Sequence, residues 1–392
     1  MEYVNLKDYI ETMESGKRPK GGAVNEGIPS LGGEHITSEG KFNLKSNKLK
    51  YVPENYYNEL KKGKIQVNDI LVVKDGATTG KTAIVTEKFP FEEACINEHL
   101  FLIRTKKELK AKYLYYYFLS DLGQHQILKD FRGATIGGIS REFININLYI
   151  PNIEIQEKII KILDKSQELI YKKKEQIFNL DELVKSRFIE IFGDPITNPK
   201  GWEKRKLADK CSIITGNTPS RKVDEYYGDY IEWIKSDNIT NAGTYLTTAK
   251  EYLSEKGLNV GRSVEQNSIL MTCIAGSLKC IGNVAIADRK VAFNQQINGI
   301  QTLDNNVFFM FEQFNLSQSY IQSTINMALK GILSKSQLSE LEFIFPPIEL
   351  QNEFANFFNQ VDKLKFEMEK SLKELEDNFN SLMQKAFKGE LF

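Results

Sequence analysis

The segment GATTGKT at residues 76–82 has the ingredients of phosphate chemistry. Two glycines bound a loop, and Lys81 with Thr82 could neutralise a phosphate and orient a metal ion. The spacing is one residue shorter than G-x-x-x-x-G-K-[ST], and the following AIVT at 83–86 reads as a strand, whereas a phosphate cradle needs a helix N-terminus there. A glycine-bounded turn between paired strands is expected instead. Thr78, Thr79 and Lys81 then suit contacts to a nucleic-acid backbone. Two further glycine–basic loops, GKRPK at 16–20 and GNTPSRK at 216–222, present Lys17, Arg18, Lys20, Thr218, Ser220, Arg221 and Lys222. These side chains reach phosphates and base edges. A solvated turn explains any one such loop as well; their recurrence at matched places is what needs explaining.

Other chemistry is thinly represented. His35, His99 and His125 have no metal-ligand spacing, and Cys95, Cys211, Cys273 and Cys280 form no C-x-x-C pair. Reduced, buried thiols are expected. No G-x-S-x-G, H-E-x-x-H or N-P-P-[YF] occurs. A binding protein is favoured over an enzyme, and no metal or cofactor is expected on this chain. An enzyme built on residues 76–82 would instead lose nucleotide binding on Lys81→Ala. The 392 residues carry 52 Lys+Arg and 52 Asp+Glu, so no overall basic excess marks a nucleic-acid binder. Residues 1–150 are net +3 and residues 346–392 net −3. With no run of about 18 apolar residues and no basic-then-apolar N-terminus, a cytoplasmic protein without membrane contact is expected.

The chain is written twice. IPNIEIQ at 150–156 recurs as FPPIELQ at 345–351. Upstream, SGKRP at 15–19 resembles TGNTP at 215–219, VNDIL at 67–71 resembles QNSIL at 266–270, and NEH at 97–99 resembles NQQ at 294–296. Loop AGSLKCIG at 275–282 takes the place of the first lysine-bearing turn and offers Ser277 and Lys279; Arg132 and Lys330 precede the matched Gly133 and Gly331. A period near 200 residues is too long for a solenoid and implies two domain-sized units. Strands are expected at 65–73, 82–86, 263–272 and 283–287, and helices at 112–122 and 308–314, an α+β mixture.

Each unit ends in a long amphipathic segment. Ile159, Leu163, Leu169, Ile177, Leu180 and Val184 mark one apolar stripe; Phe354, Phe358, Leu364, Leu372, Leu375 and Phe379 mark the other. A 40-residue helix is about 60 Å long and cannot bury its stripe alone. The simplest partner is the other copy, in an intramolecular coiled coil. FGDP at 192–195 stops the first helix, and a short linker lets the second run back antiparallel, with a pseudo-twofold axis across the coil. The expected organisation is globular units at 1–149 and 194–344 with helical regions at 150–193 and 345–392. A coiled-coil scaffold that binds no DNA is the alternative reading.

The duplicated P-x-I-E-[IL]-Q openings, the long helices after them, the FGDP…NPKGW junction and the L-x-D…G-x-x-P openings of both units resemble the specificity subunits of type I restriction–modification systems. The resemblance spans essentially the whole chain. It implies two target recognition domains, each reading one half of an asymmetric, bipartite double-stranded DNA site, with the helices setting the spacing. It further implies two methyltransferase subunits docked on the helices, restriction/translocase subunits in the larger complex, and S-adenosylmethionine, ATP and Mg on those partners. This chain itself would be non-catalytic.

Overall fold

The computed structural model describes residues 3–45, 49–133, 137–325 and 331–392. The chain divides into two compact units: unit 1 comprises Met1–Lys174 with Ser371–Phe392, and unit 2 comprises Glu175–Lys370. Each unit therefore takes part of both long helices.

The two units are built on the same sheet. In unit 1, antiparallel strands run in the order Ile10–Ser15, Leu100–Thr105, Ile70–Val73, Thr82–Ile84. In unit 2 the order Cys211–Thr215, Ile297–Thr302, Ser268–Thr272, Val284–Ala287 repeats it. The strands Ile70–Val73 and Ser268–Thr272 are buried along their whole length. Covered on both faces, they read as continuous apolar runs without alternation. The expected strand at 65–73 is shorter because Asn68 turns the chain at φ 71°, as Asn267 does at φ 66°. Asparagine tolerates this left-handed conformation better than other side chains, which explains why it recurs in VNDIL and QNSIL.

A second sheet in unit 1 places Ile28–Leu31 between antiparallel Lys50–Val52 and parallel Cys95–Ile96. In unit 2, Ile231–Ile234 sits likewise between Tyr252–Leu253 and Val291–Phe293, and two further strands widen the sheet to five. The short helices Ala111–Leu119 and Val307–Leu316 pack their aromatic residues into the two main cores.

The long helices span Ile153–Phe192 and Ile348–Lys388. Their repeated glutamine has one structural role in both units. Gln156 accepts from the Lys110 N–H at 2.8 Å, and Gln351 accepts from the Asn306 N–H at 2.9 Å. Lys110 and Asn306 are the residues that open the two short helices. The glutamine thus ties the start of each long helix to the start of the aromatic one and satisfies a helix-end N–H that has no intrahelical partner.

Within unit 1 the start of the first long helix (Ile159, Leu163) shares a core with the end of the second (Met383, Ala386, Phe387). Tyr113 and Tyr117 each meet the Phe387 ring at 5.3 Å, and Lys174 pairs with Glu376 at 2.9 Å. Within unit 2, Phe188, Phe192, Phe309 and Phe354 form one aromatic cluster, and Lys365 pairs with Asp181 at 2.6 Å. In both units the helix segments run antiparallel. The parts of the stripes nearest each core are covered by the facing helix segment and by the aromatic short helix.

Two expected stripe positions are misplaced. Leu169 and Leu364 are 43% and 48% exposed, while Ile170 and Val361 are buried. At 3.6 residues per turn, the eleventh residue after Ile159 or Phe354 returns to the starting face. Those residues are Ile170 and Lys365, and the lysine turns inward to meet Asp181. Ile159, Leu163, Val184, Phe354 and Phe358 are buried; Ile177, Leu180, Leu372, Leu375 and Phe379 are half-buried.

Candidate nucleic-acid interface

Strand order brings four separate loops of unit 1 onto one surface. Lys74 N–H donates to the His99 carbonyl at 2.8 Å, and Ile139 N–H donates to the Lys74 carbonyl at 2.8 Å. Gly76 N–H reaches the Gly137 carbonyl, and Arg132 and Gly138 exchange backbone bonds at 2.9 Å. The loops at 16–20, 74–82 and 97–99 and the segments 130–133 and 137–139 therefore form a connected frame. Unit 2 repeats it: Cys273 N–H donates to the Gln296 carbonyl at 2.8 Å and Leu333 N–H to the Cys273 carbonyl at 2.9 Å.

The first loop enters each frame through a glycine that admits no side chain. A Cβ on Gly16 would lie 1.9 Å from the Ile96 carbonyl oxygen, and one on Gly216 would lie 2.1 Å from that of Asn294. Asn97 and Asn294 each accept a bond from the backbone two residues on, at 2.9 and 3.0 Å. These turns aim the intervening residue at the first loop. In unit 1 Glu98 pairs with Arg18 at 2.7 Å; in unit 2 the Thr218 hydroxyl meets Gln295. The same backbone frame thus presents a charged pair in one unit and a neutral pair in the other.

Residues 76–82 form the expected turn. Gly80 N–H donates to the Val73 carbonyl at 2.8 Å, the Thr79 hydroxyl donates to the Gly76 carbonyl at 2.7 Å, and strand Thr82–Ile84 follows directly. The loop leads into a strand and not into a helix, so the nucleotide-cradle reading is set aside on geometry. Thr78, Thr79 and Lys81 are half-buried at this surface, and Lys17, Arg18 and Lys20 are exposed. Arg132 projects with its side chain 78% exposed, touching Asp130 at 3.2 Å. Ser277 and Lys279 are exposed on the corresponding turn of unit 2. Lys330 lies outside the described residues.

Arg221 is held by more partners than the sequence suggested. Its guanidinium lies 4.3 Å from the Tyr227 ring centroid and 5.1 Å from that of Trp233, and it pairs with Glu251 at 2.5 Å. Lys235 joins the same carboxylate from over Trp233. Lys235 first, and then Arg221, hold the Glu251 carboxyl below the usual carboxylate range. Tyr227 and Trp233 also donate to the Pro219 and Asn217 carbonyls, fixing the loop. Ser220 and Lys222 remain exposed beside it.

Several residues of this surface were not singled out from sequence: Glu98, His99, Asp75, Gln295, Tyr227, Trp233, Lys235 and Glu251. His99 Nδ1 lies 2.5 Å from Asp75 and Nε2 3.4 Å from Glu98. The matched NEH and NQQ triplets carried the signal for three of these residues, Glu98, His99 and Gln295. Nothing local in the sequence pairs Glu251 with Arg221. Cys95, Cys211 and Cys273 are buried and Cys280 is half-buried; burial pushes the Cys211 and Cys273 thiols up to about 12. Among the described residues, no helix is long and apolar enough to cross a membrane.

The chain thus carries one mixed fold twice, each copy with a polar loop surface. The family model "Type I restriction modification DNA specificity domain" matches residues 1–179 and again 199–377. The chain belongs to this type I restriction–modification specificity family. That membership sets aside the reading as a scaffold without DNA binding. The putative type I restriction enzyme MjaX specificity subunit of Methanocaldococcus jannaschii is 24% identical over the whole of this chain and 93% of its own length. The MjaIX specificity subunit of the same organism is 29% identical over 42% of this chain, and the HindI specificity subunit of Haemophilus influenzae is 31% identical over 39%. These two matches span 39% and 33% of those relatives.

Two solved structures share the fold. A chain from work on complex assembly and conformational transition of the type I R-M system superposes with TM-score 0.59 at 16% identity, covering 100% of this chain and 98% of that one. The S subunit of a type I restriction-modification system from M. genitalium superposes with TM-score 0.56 at 14% identity, covering 98% and 96%.

Proposed function

We propose that each unit reads one half of an asymmetric, bipartite double-stranded DNA site through its four-loop surface. The observation that carries this reading is the duplicated frame with unlike side chains at matched positions, Arg18 with Glu98 in one unit and Thr218 with Gln295 in the other. Identical backbones place side chains at equivalent points, and unlike side chains there select unlike base edges. Arg18, Arg221 and the lysines of the loops supply phosphate contacts and, in part, direct base contacts.

The long helices set the separation of the half-sites and dock two methyltransferase subunits, with restriction/translocase subunits in the larger complex. S-adenosylmethionine, ATP and Mg belong on those partners, and this chain selects the site without catalysing a step. A cytoplasmic location follows from that role. With a net charge of zero, the chain has little electrostatic attraction of its own for the phosphate backbone. Tight binding therefore requires the assembled complex.

A mobility-shift titration tests this. The chain with its methyltransferase partner is expected to retain duplex DNA carrying the cognate site far better than scrambled duplex, and the chain alone only weakly. No site preference with the partner present would overturn the reading.

A further inference from the structure

Unit 2 contains a cavity of about 420 Å³ lined by residues of both long helices, the loop at 242–244 and the short helix Val307–Leu316. One liquid water occupies about 30 Å³, so the space is large enough for an organic group. Glu312 lines it, is only 4% exposed, and has a buried Oε1 with no hydrogen-bond partner. A buried carboxylate oxygen without a donor is costly. Burial pushes the Glu312 carboxyl up to about 7, against the opposing pull of Asn315 and Lys185.

The other charged groups facing the cavity are largely matched. Asp181 pairs with Lys365, and Lys185 pairs with Glu182 at 2.7 Å. Asp362 accepts from the Thr244 hydroxyl at 2.7 Å, and the Tyr245 hydroxyl also bonds to it. Among the described residues, neither Glu312 nor Asp362 takes part in an ion pair at this wall. Phe311 and Phe358 complete the lining.

Unit 1 handles the same position differently. Lys110 and Asn306 open the two short helices in matching fashion, so Tyr116 occupies the register of Glu312. The Tyr116 hydroxyl donates to Asp164 on the first long helix at 2.6 Å. One copy thus has an internal donor–acceptor pair where the other has a carboxylate awaiting a donor.

We propose that this cavity is a binding site for a guanidinium group, held by Glu312 and Asp362 and flanked by Phe311 and Phe358. An anion would meet two carboxylates, and a neutral apolar group would leave Glu312 Oε1 unsatisfied. A guanidinium offers only donors, forks onto carboxylates and tolerates aromatic walls. The group comes either from a free small guanidine or from an arginine side chain of a partner subunit. The free-ligand form is independent of the DNA-reading proposal; the partner form rests on it.

Calorimetric titration of the full chain with methylguanidinium at pH 7, in buffers of differing ionisation enthalpy, tests the site. A cation beside Glu312 favours its ionised form, so binding should release about half a proton. Glu312→Gln and Asp362→Asn should each weaken binding at least tenfold, and Glu312→Gln should abolish the proton release. That pattern assigns a free guanidine. If methylguanidinium does not bind, Glu312→Gln and Asp362→Asn should still each weaken association of the chain with the methyltransferase partner; this assigns a partner arginine. Binding of methylguanidinium that both variants leave unchanged overturns the proposal. So does the absence of direct binding together with partner association that both variants leave unchanged. Cognate-site preference of the assembled complex, measured separately, shows whether the DNA-reading proposal stands when this one fails.

Discussion

Gln351 Nε2 donates to the Pro346 carbonyl at 2.8 Å, closing the opening turn of the second long helix from a side chain that is 1% exposed. Gln156 makes the same bond to Pro151 at 2.8 Å. Because each glutamine also accepts from the first N–H of a short helix, Gln351→Ala strands buried polar groups on two elements. The expected cost is about 2 kcal/mol, seen as a lower melting temperature by calorimetry. Gln351→Glu, which keeps the acceptor, should recover part of it.

Arg221 is already ordered by Tyr227, Trp233 and Glu251, so little side-chain freedom is lost when it meets DNA. Arg221→Ala should weaken DNA binding by the assembled complex about tenfold, within the range of one good contact. If the contact is to phosphate, the slope of log K against log salt should fall by about one. Binding isotherms across a salt series check both. Glu251→Ala leaves Arg221 and Lys235 without their shared counter-charge. Affinity for non-cognate duplex should rise, narrowing the preference for the cognate site.

Exchange of residues 1–147 for those of another family member should alter one half-site and leave the other unchanged, because the second loop frame is contained in unit 2. Methylation mapping of genomic DNA reads this directly. A change in both halves would show that the units do not read independently.

The first helix is continuous through residues 173–175 and the second through residues 370–371. Four residues inserted in each helix at these places should keep Lys174–Glu376 and Lys365–Asp181 in register. They add about 6 Å and about 40° of turn, and the unread gap between half-sites should lengthen by about two base pairs. An unchanged gap on methylation mapping would refute the ruler.

Glu312 has its folded value raised by burial from 4.5 to about 7. The folded state therefore holds the proton more tightly than the unfolded state. Below pH 4.5 both states are neutral and the residue contributes nothing. As pH rises towards 7 the ionised form is increasingly favoured on unfolding, and the destabilisation reaches about 3 kcal/mol. Glu312→Gln should match wild type in melting temperature at low pH and exceed it progressively up to neutrality. Parallel pH series by calorimetry would show it.

The sequence by itself determined the duplication, the helical regions and the family. Those signals are local: a recurring PxIE[IL]Q segment, a repeat of apolar residues at helical spacing, and turn residues such as Asn68 and Asn267 whose conformation follows from their own side chains. Stripe positions were legible only within one residue, because Leu169 and Ile170 differ by about 100° around a helix and only packing chose between them. The loop surface was half legible. Its glycine–basic loops stood out by composition, but Glu98, Glu251 and Trp233 did not. Strand order alone brings residue 18 to residue 98 and residue 221 to residue 251. The unlike fates of Tyr116 and Glu312 were likewise decided in three dimensions. Each occupies the same helix position, and only the neighbours across the core determine whether a partner is there.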